Sequence, residues 1–166
     1  MTEKKLEERI SFPFDFYGDI YKIAFADDHG LYVPVRDICG SLGVDTQAQT
    51  RRIRRSSTLS EGLARVKMAT DYQEGVRMRE VLCLNVELIP EWISGVDESR
   101  ISEESLPAII RLKKEFSLIV KAYFRGAIIP EDLKAEIDSS LPTALRDLYE
   151  QAEKMALYVH DVRHDL

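Results

Sequence analysis

The chain has 166 residues, 45% of them hydrophobic and 31% charged, proportions that exclude wholesale disorder and low-complexity classes. Two cysteines, Cys39 and Cys83, are too few for a disulfide-dense scaffold or a four-cysteine metal site, and no apolar run approaches the ~18 residues of a membrane span. The net charge of −6 hides a partition: residues 1–45 carry 5 basic and 9 acidic side chains, residues 46–84 carry 8 and 4, and residues 85–166 carry 10 and 16. A basic island inside an acidic chain focuses positive potential on one surface.

The start, Met1-Thr2-Glu3-Lys4-Lys5, leads into charge rather than an apolar signal segment, so a cytoplasmic protein is expected. The apolar and aromatic run 20–25, the turn residues Asp27-Asp28-His29-Gly30 and the run 31–33 predict a β-hairpin. Pro34 opens a short helix with Val35, Ile38, Cys39 and Leu42 on one face, and Gly43 supplies a left-handed C-cap. After Gly43-Val44-Asp45, the run Thr46-Gln47-Ala48-Gln49 reads as a capping box that starts a second helix, so the two form a helix-turn-helix candidate. Two β runs follow, 63–69 and 76–84, joined by a polar turn. Asn85 caps a further short helix in which Trp92 is a core anchor.

From about Ser102 one long helix is expected toward Arg125, with Ile109, Leu112, Phe116, Ile119 and Tyr123 on its apolar face. Gly126 and Pro130 mark a break, and a final helix carries Leu141, Leu145, Leu148, Ala152, Met155, Val159, Val162 and Leu166 at 4-3 spacing. Such a stripe is either a helix docked on its own domain or a seam between copies. The seam is preferred here, because the stripe reaches the last residue and Ala152 and Met155 suit close helix approach. The fold class expected is α+β: small β-hairpins packed with a helix-turn-helix-like pair, then a long helix and a helical tail. The boundaries are 10–126 for the domain and 130–166 for the oligomerising tail.

The strongest chemical signal is the second helix. At roughly 100° per residue, Arg51, Arg52, Arg54 and Arg55 span an arc of about 160° that includes Gln47, with Ile53 opposite. Arginine forks suit phosphate and guanine edges, and Gln47 suits an adenine edge, so this helix fits a DNA major groove. Alternation along the following hairpin places Arg65 with Lys67 and Arg77 with Arg79, and four cations are expected on one face, where an anionic partner would offset their mutual repulsion.

No enzyme is expected. His160 and His164 lie one helical turn apart but lack a third ligand, so no metal is expected, and they fit a solvated helix end. His29 belongs to a turn, Cys39 and Cys83 to the core, and the scattered glycines form no phosphate loop, so no cofactor is expected.

The run Tyr32-Val33-Pro34-Val35-Arg36-Asp37-Ile38-Cys39, then Leu42-Gly43, Gln49, Arg51-Arg52-Ile53 and Leu59-Ser60-Glu61-Gly62, and later Val81-Leu82-Cys83-Leu84, Pro90, Trp92 and Gly95, resembles the phage antirepressor N-terminal domain. That family is related to the Bro-N domains of large DNA viruses, and the resemblance covers about residues 10–125. It implies an α+β domain, often followed by a separate C-terminal domain, in proteins that relieve prophage repression by binding a repressor; Bro-N relatives are associated with DNA binding. A helical tail in place of an effector domain points to a compact regulator or oligomerising adaptor. The reading is therefore a non-enzymatic transcription regulator that binds DNA and forms a homo-oligomer. Its alternative is a module that sequesters a repressor or other regulator without touching DNA, in which the arginines pair with carboxylates of the partner; the acidic segment 85–166 also suits a grip on a basic repressor.

Overall fold

Phe12, Phe14 and Phe16 alternate with polar or turn-forming neighbours, so a strand through them buries three rings on one side. In the computed structural model, which describes residues 3–72, 75–129, 135, 147, 148 and 150–155, this is the second half of a 13-residue strand, β1 (Lys4–Phe16). Tyr17 and Gly18, with φ of 54° and 97°, make the tight positive-φ turn into β2 (Asp19–Ala26). The predicted hairpin of β2 with β3 (Leu31–Pro34) is present, and His29 occupies its turn at φ 66°.

The α1 helix (Val35–Leu42) buries the four predicted residues and ends on Gly43 at φ 68°, whose N–H donates to the Cys39 carbonyl. The α2 helix (Thr46–Arg55) is capped one residue earlier in the chain than a capping box on Thr46 requires. Asp45 is the N-cap, accepting from the Ala48 N–H at 3.0 Å, and the Gln49 side chain is used elsewhere. Strands β4 (Leu63–Tyr72) and β5 (Gly75–Asn85) follow a short 3-10 turn.

The hairpins do not stay separate. The strands close into one barrel in the order β1-β2-β3-β5-β4, sealed by a parallel pairing of Lys4–Glu7 with Ala64–Lys67. A register shift between Glu8 and Ile10 lets β1 leave β4 and continue along β2. Past that point side chains cap the β4 edge: Glu8 Oε1 accepts from the Ala69 N–H at 3.0 Å, and the Lys22 ammonium donates to the Ala69 carbonyl.

Inward-facing residues of the barrel are mostly small or slender, with Ala24, Ala26, Ala64, Val66, Met68, Val81 and Cys83 packed around Tyr32. The outer face carries the larger core. There Phe12, Phe14 and Phe16 meet Phe116 and Phe124, with Phe16 and Phe116 edge to face at 5.2 Å. Cys39 and Cys83 are buried free thiols, and burial pushes Cys39 up to about 11 and Cys83 further, so neither is a thiolate at neutral pH.

Helix α3 (Ile89–Ser94) carries the buried Trp92. The expected single helix from Ser102 is two, α4 (Leu106–Lys114) and α5 (Phe116–Tyr123), separated at Glu115, where φ reaches −121°. Tyr17 holds this break: its hydroxyl donates to Glu115 Oε2 at 2.8 Å while Arg111 stacks on its ring at 4.1 Å. Of the predicted stripe in the tail, Leu148 and Met155 are exposed and Ala152 is buried in the chain's own core. Leu141, Leu145, Val159, Val162 and Leu166 lie outside the described residues, as do His160 and His164. No described helix is long and apolar enough to cross a membrane.

Candidate nucleic-acid interface

The α2 helix presents its basic residues because its other side is committed to the core. Ile53 is fully buried and Thr50 nearly so, the Thr50 hydroxyl bonding back to the Thr46 carbonyl at 2.8 Å. On the opposite side Gln47, Arg51, Arg54 and Arg55 are exposed, the grouping that helical periodicity predicts.

Arg52 departs from that grouping. It lies at the margin of the arc and turns toward α3, where its Nη2–H donates to the Trp92 carbonyl at 2.7 Å and its Nε–H to Gln49 Oε1 at 3.1 Å. Gln49 Oε1 also accepts the Trp92 indole N–H at 3.0 Å. The guanidinium thus closes a lock between α2 and the C-terminal end of α3, and burial holds its pKa below the ordinary value. Gly95 leaves room for it, since a Cβ there would collide with the guanidinium. Arg52 therefore serves the fold, within a run of arginines whose neighbours face outward.

Arg54 faces a carboxylate that sequence spacing does not suggest. Its Nε–H donates to Glu3 Oε1 at 2.6 Å, and Arg65 of β4 donates to Glu3 Oε2 at 3.3 Å. Burial pushes the Glu3 carboxyl up, but the two arginines outweigh it and hold it below its ordinary value. The bridge carries the basic surface from α2 onto β4, where Lys67 is exposed two residues beyond Arg65.

The ribbon β4–β5 does not place four cations on one face. Arg65 and Lys67 lie opposite Leu82 and Glu80, whereas Arg77 and Arg79 lie opposite Thr70 and Met68. Directly paired residues share a face, so Arg65 and Lys67 point to the outer side and Arg77 and Arg79 to the reverse. Alternation fixes faces within each strand, and only the register relates one strand to the other.

On its other flank α2 borders a groove of about 580 Å³, between the Gly43–Asp45 connection and the 3-10 turn Glu98–Arg100. Arg51, Arg55 and the strongly exposed Arg100 line it, with Asp45 and Asp97 as counter-charges. Both carboxylates are occupied as caps, Asp45 on Ala48 and Asp97 on the Ser99 N–H at 3.0 Å. Arg100 is not a candidate that the sequence singles out: it stands alone in an acidic stretch, and only folding brings it beside α2. Among the described residues no group of three or more His, Cys, Asp and Glu is placed to hold a metal.

The family profile described as the P22_AR N-terminal domain matches residues 14–129, which takes in the barrel from the end of β1 onward, α2, the ribbon and helices α3 to α5. The chain belongs to the P22_AR N-terminal domain family. This is the phage antirepressor N-terminal family that the motifs from Tyr32 to Gly95 resemble, and it points to a phage regulatory protein. No curated protein and no solved structure matches the chain. In this P22_AR N-terminal domain the matched stretch contains every basic residue of the candidate surface, and Glu3, which pairs with two of them, precedes it.

Proposed function

We propose that this P22_AR N-terminal domain is a non-enzymatic DNA-contacting regulator that reads a duplex with α2, assisted by the outer face of β4, and that associates with copies of itself through its tail. The observation that carries the reading is the exposed face formed by Gln47, Arg51, Arg54 and Arg55, backed by buried Thr50 and Ile53 and set in a chain of net charge −6. Arginines gathered on one helix of an acidic protein repel one another, and an anionic ligand relieves that repulsion. The helix is 10 residues long, about 15 Å, which suits a single passage along a major groove.

A second reading draws on the acidic surface. Glu91, Asp97, Glu98, Glu103 and Glu104 are all exposed around α3 and the turns before α4, and they suit a grip on the basic surface of a repressor. It differs from the first in making the arginines dispensable.

Fluorescence anisotropy of a labelled random duplex across a salt series separates the two. The variant to compare is Arg51→Gln, Arg54→Gln, Arg55→Gln; Arg52 is left intact because its loss would unsettle α3. Wild-type binding should show a steep log–log slope that shrinks by up to ~2.7 in the variant, ~0.9 for each phosphate no longer neutralised. Absence of wild-type binding at low salt would remove the DNA reading and leave repressor capture.

A further inference from the structure

Two arginines from different elements converge on one carboxylate in this fold. Arg54 donates to one oxygen of Glu3 at 2.6 Å and Arg65 to the other at 3.3 Å. Their side chains remain 44% and 39% exposed, that of Glu3 20%. The convergence is built by the barrel closure, since the parallel pairing of Lys5 with Arg65 delivers the start of β1 to the foot of α2. Two guanidiniums addressing the two oxygens of one anion is also the arrangement that holds the two non-bridging oxygens of a phosphodiester.

We propose that Arg54 and Arg65 form a backbone-phosphate site, and that Glu3 is an intramolecular occupant which the phosphate displaces. The proposal rests on the DNA reading above and adds the identity of one contact and its competitor. With Glu3 in place the cluster carries a net charge of +1 from two guanidiniums and one carboxylate. With Glu3 displaced, both guanidiniums face the ligand, and Lys67 extends the same outer face of β4. Because the pairs are partly solvated, the carboxylate is held weakly enough to yield to a polyanion. The competing view is that Glu3 merely staples the start of β1 to α2. A staple contributes stability and leaves DNA affinity alone, whereas a competitor opposes DNA binding.

The test uses the full chain and a labelled random duplex in a salt series. Glu3→Gln, with its fold checked by circular dichroism, should bind roughly two- to fivefold tighter than wild type. Glu3→Asp keeps the charge but shortens the reach, and it should also tighten binding. In the background of Glu3→Gln, adding Arg54→Gln and Arg65→Gln should abolish the gain and lower the salt slope by ~1.8. Folded Glu3→Gln and Glu3→Asp that bind no tighter than wild type would overturn the proposal while leaving the DNA reading in place. An equal gain for polyglutamate would assign the site to carboxylates of a protein partner and overturn the phosphate assignment. No duplex binding by wild type or by either Glu3 variant would bring down both readings together.

Discussion

At the residue scale, neighbouring arginines on α2 have different tasks, and stability measurements should separate them. Arg52 satisfies the Trp92 carbonyl and half-engages Gln49, so Arg52→Ala leaves a carbonyl and an amide oxygen near the buried indole with fewer partners. Hydrogen bonds made by a charged donor contribute ~1.5–3 kcal/mol, and a loss of that order is expected in urea denaturation. Arg51→Ala, at an exposed position one residue earlier, should stay within ~0.5 kcal/mol of wild type. Equal losses for the two would show that the lock between α2 and α3 contributes little.

Glu3 supplies a pH-dependent prediction at the same scale. Its folded-state carboxyl sits below the ordinary value of 4.5, so the ionised form favours the folded state. That contribution is complete above the unfolded value and disappears as pH falls through the folded one. The stability difference between wild type and Glu3→Gln should therefore be flat near neutrality and shrink as pH drops below about 4.5. A difference that persists unchanged into strong acid would mean that the two arginines do not stabilise the carboxylate.

At the scale of elements, the ribbon turns a sequence expectation into a sharper one. Since Arg65 and Lys67 share the outer face with the surface leading to α2, and Arg77 and Arg79 occupy the reverse, the two pairs should contribute unequally to DNA binding. The double variant Arg65→Gln, Lys67→Gln should lower the salt slope by ~1.8, and Arg77→Gln, Arg79→Gln by clearly less. Equal reductions would indicate that the ribbon enters a groove edge-on and that both faces touch phosphate. This ribbon also marks where sequence legibility ends. The face of α1 is readable because Val35, Ile38, Cys39, Leu42 and Gly43 are all within one short segment, and the exposed arc of α2 follows from helical angles alone, apart from Arg52 at its margin. The relation between Arg65 and Arg77 depends on register across a turn, which alternation within a strand does not fix. Strand β1 is hard to see in the sequence for two physical reasons: Pro13 interrupts its pattern, and the shift at Glu8 and Ile10 breaks the alternation. Glu3, Arg100 and the partners of Arg52 on α3 are invisible there because each meets α2 across 40 or more residues of chain, brought in only by the packing of α3 or by barrel closure.

At the scale of the molecule, the tail decides whether one basic face or several act together. Leu148, Ala152 and Met155 fall on one side of a helix, yet Ala152 is 7% exposed whereas Leu148 and Met155 are 47% and 55% exposed. Next to Ala152, Glu153 pairs with Arg125 with both side chains largely buried, and Gly126 lies against Glu153. The small alanine thus brings this stretch onto its own domain, and the two larger residues form a rim that a second copy would have to cover. Those roles predict opposite behaviours. Ala152→Leu overpacks the internal contact and should cost ~1–3 kcal/mol in urea denaturation without altering the mass measured by light scattering. Leu148→Glu with Met155→Glu should leave stability near wild type but reduce an oligomer to the mass of one chain. Should the wild type already weigh as one chain, the rim has no self-partner, and the proposed DNA contact would lack the gain in effective concentration that a linked second copy provides. In an oligomer, by contrast, each copy adds its own α2, so the rim variant should weaken duplex binding and flatten its salt slope even though no arginine has been touched.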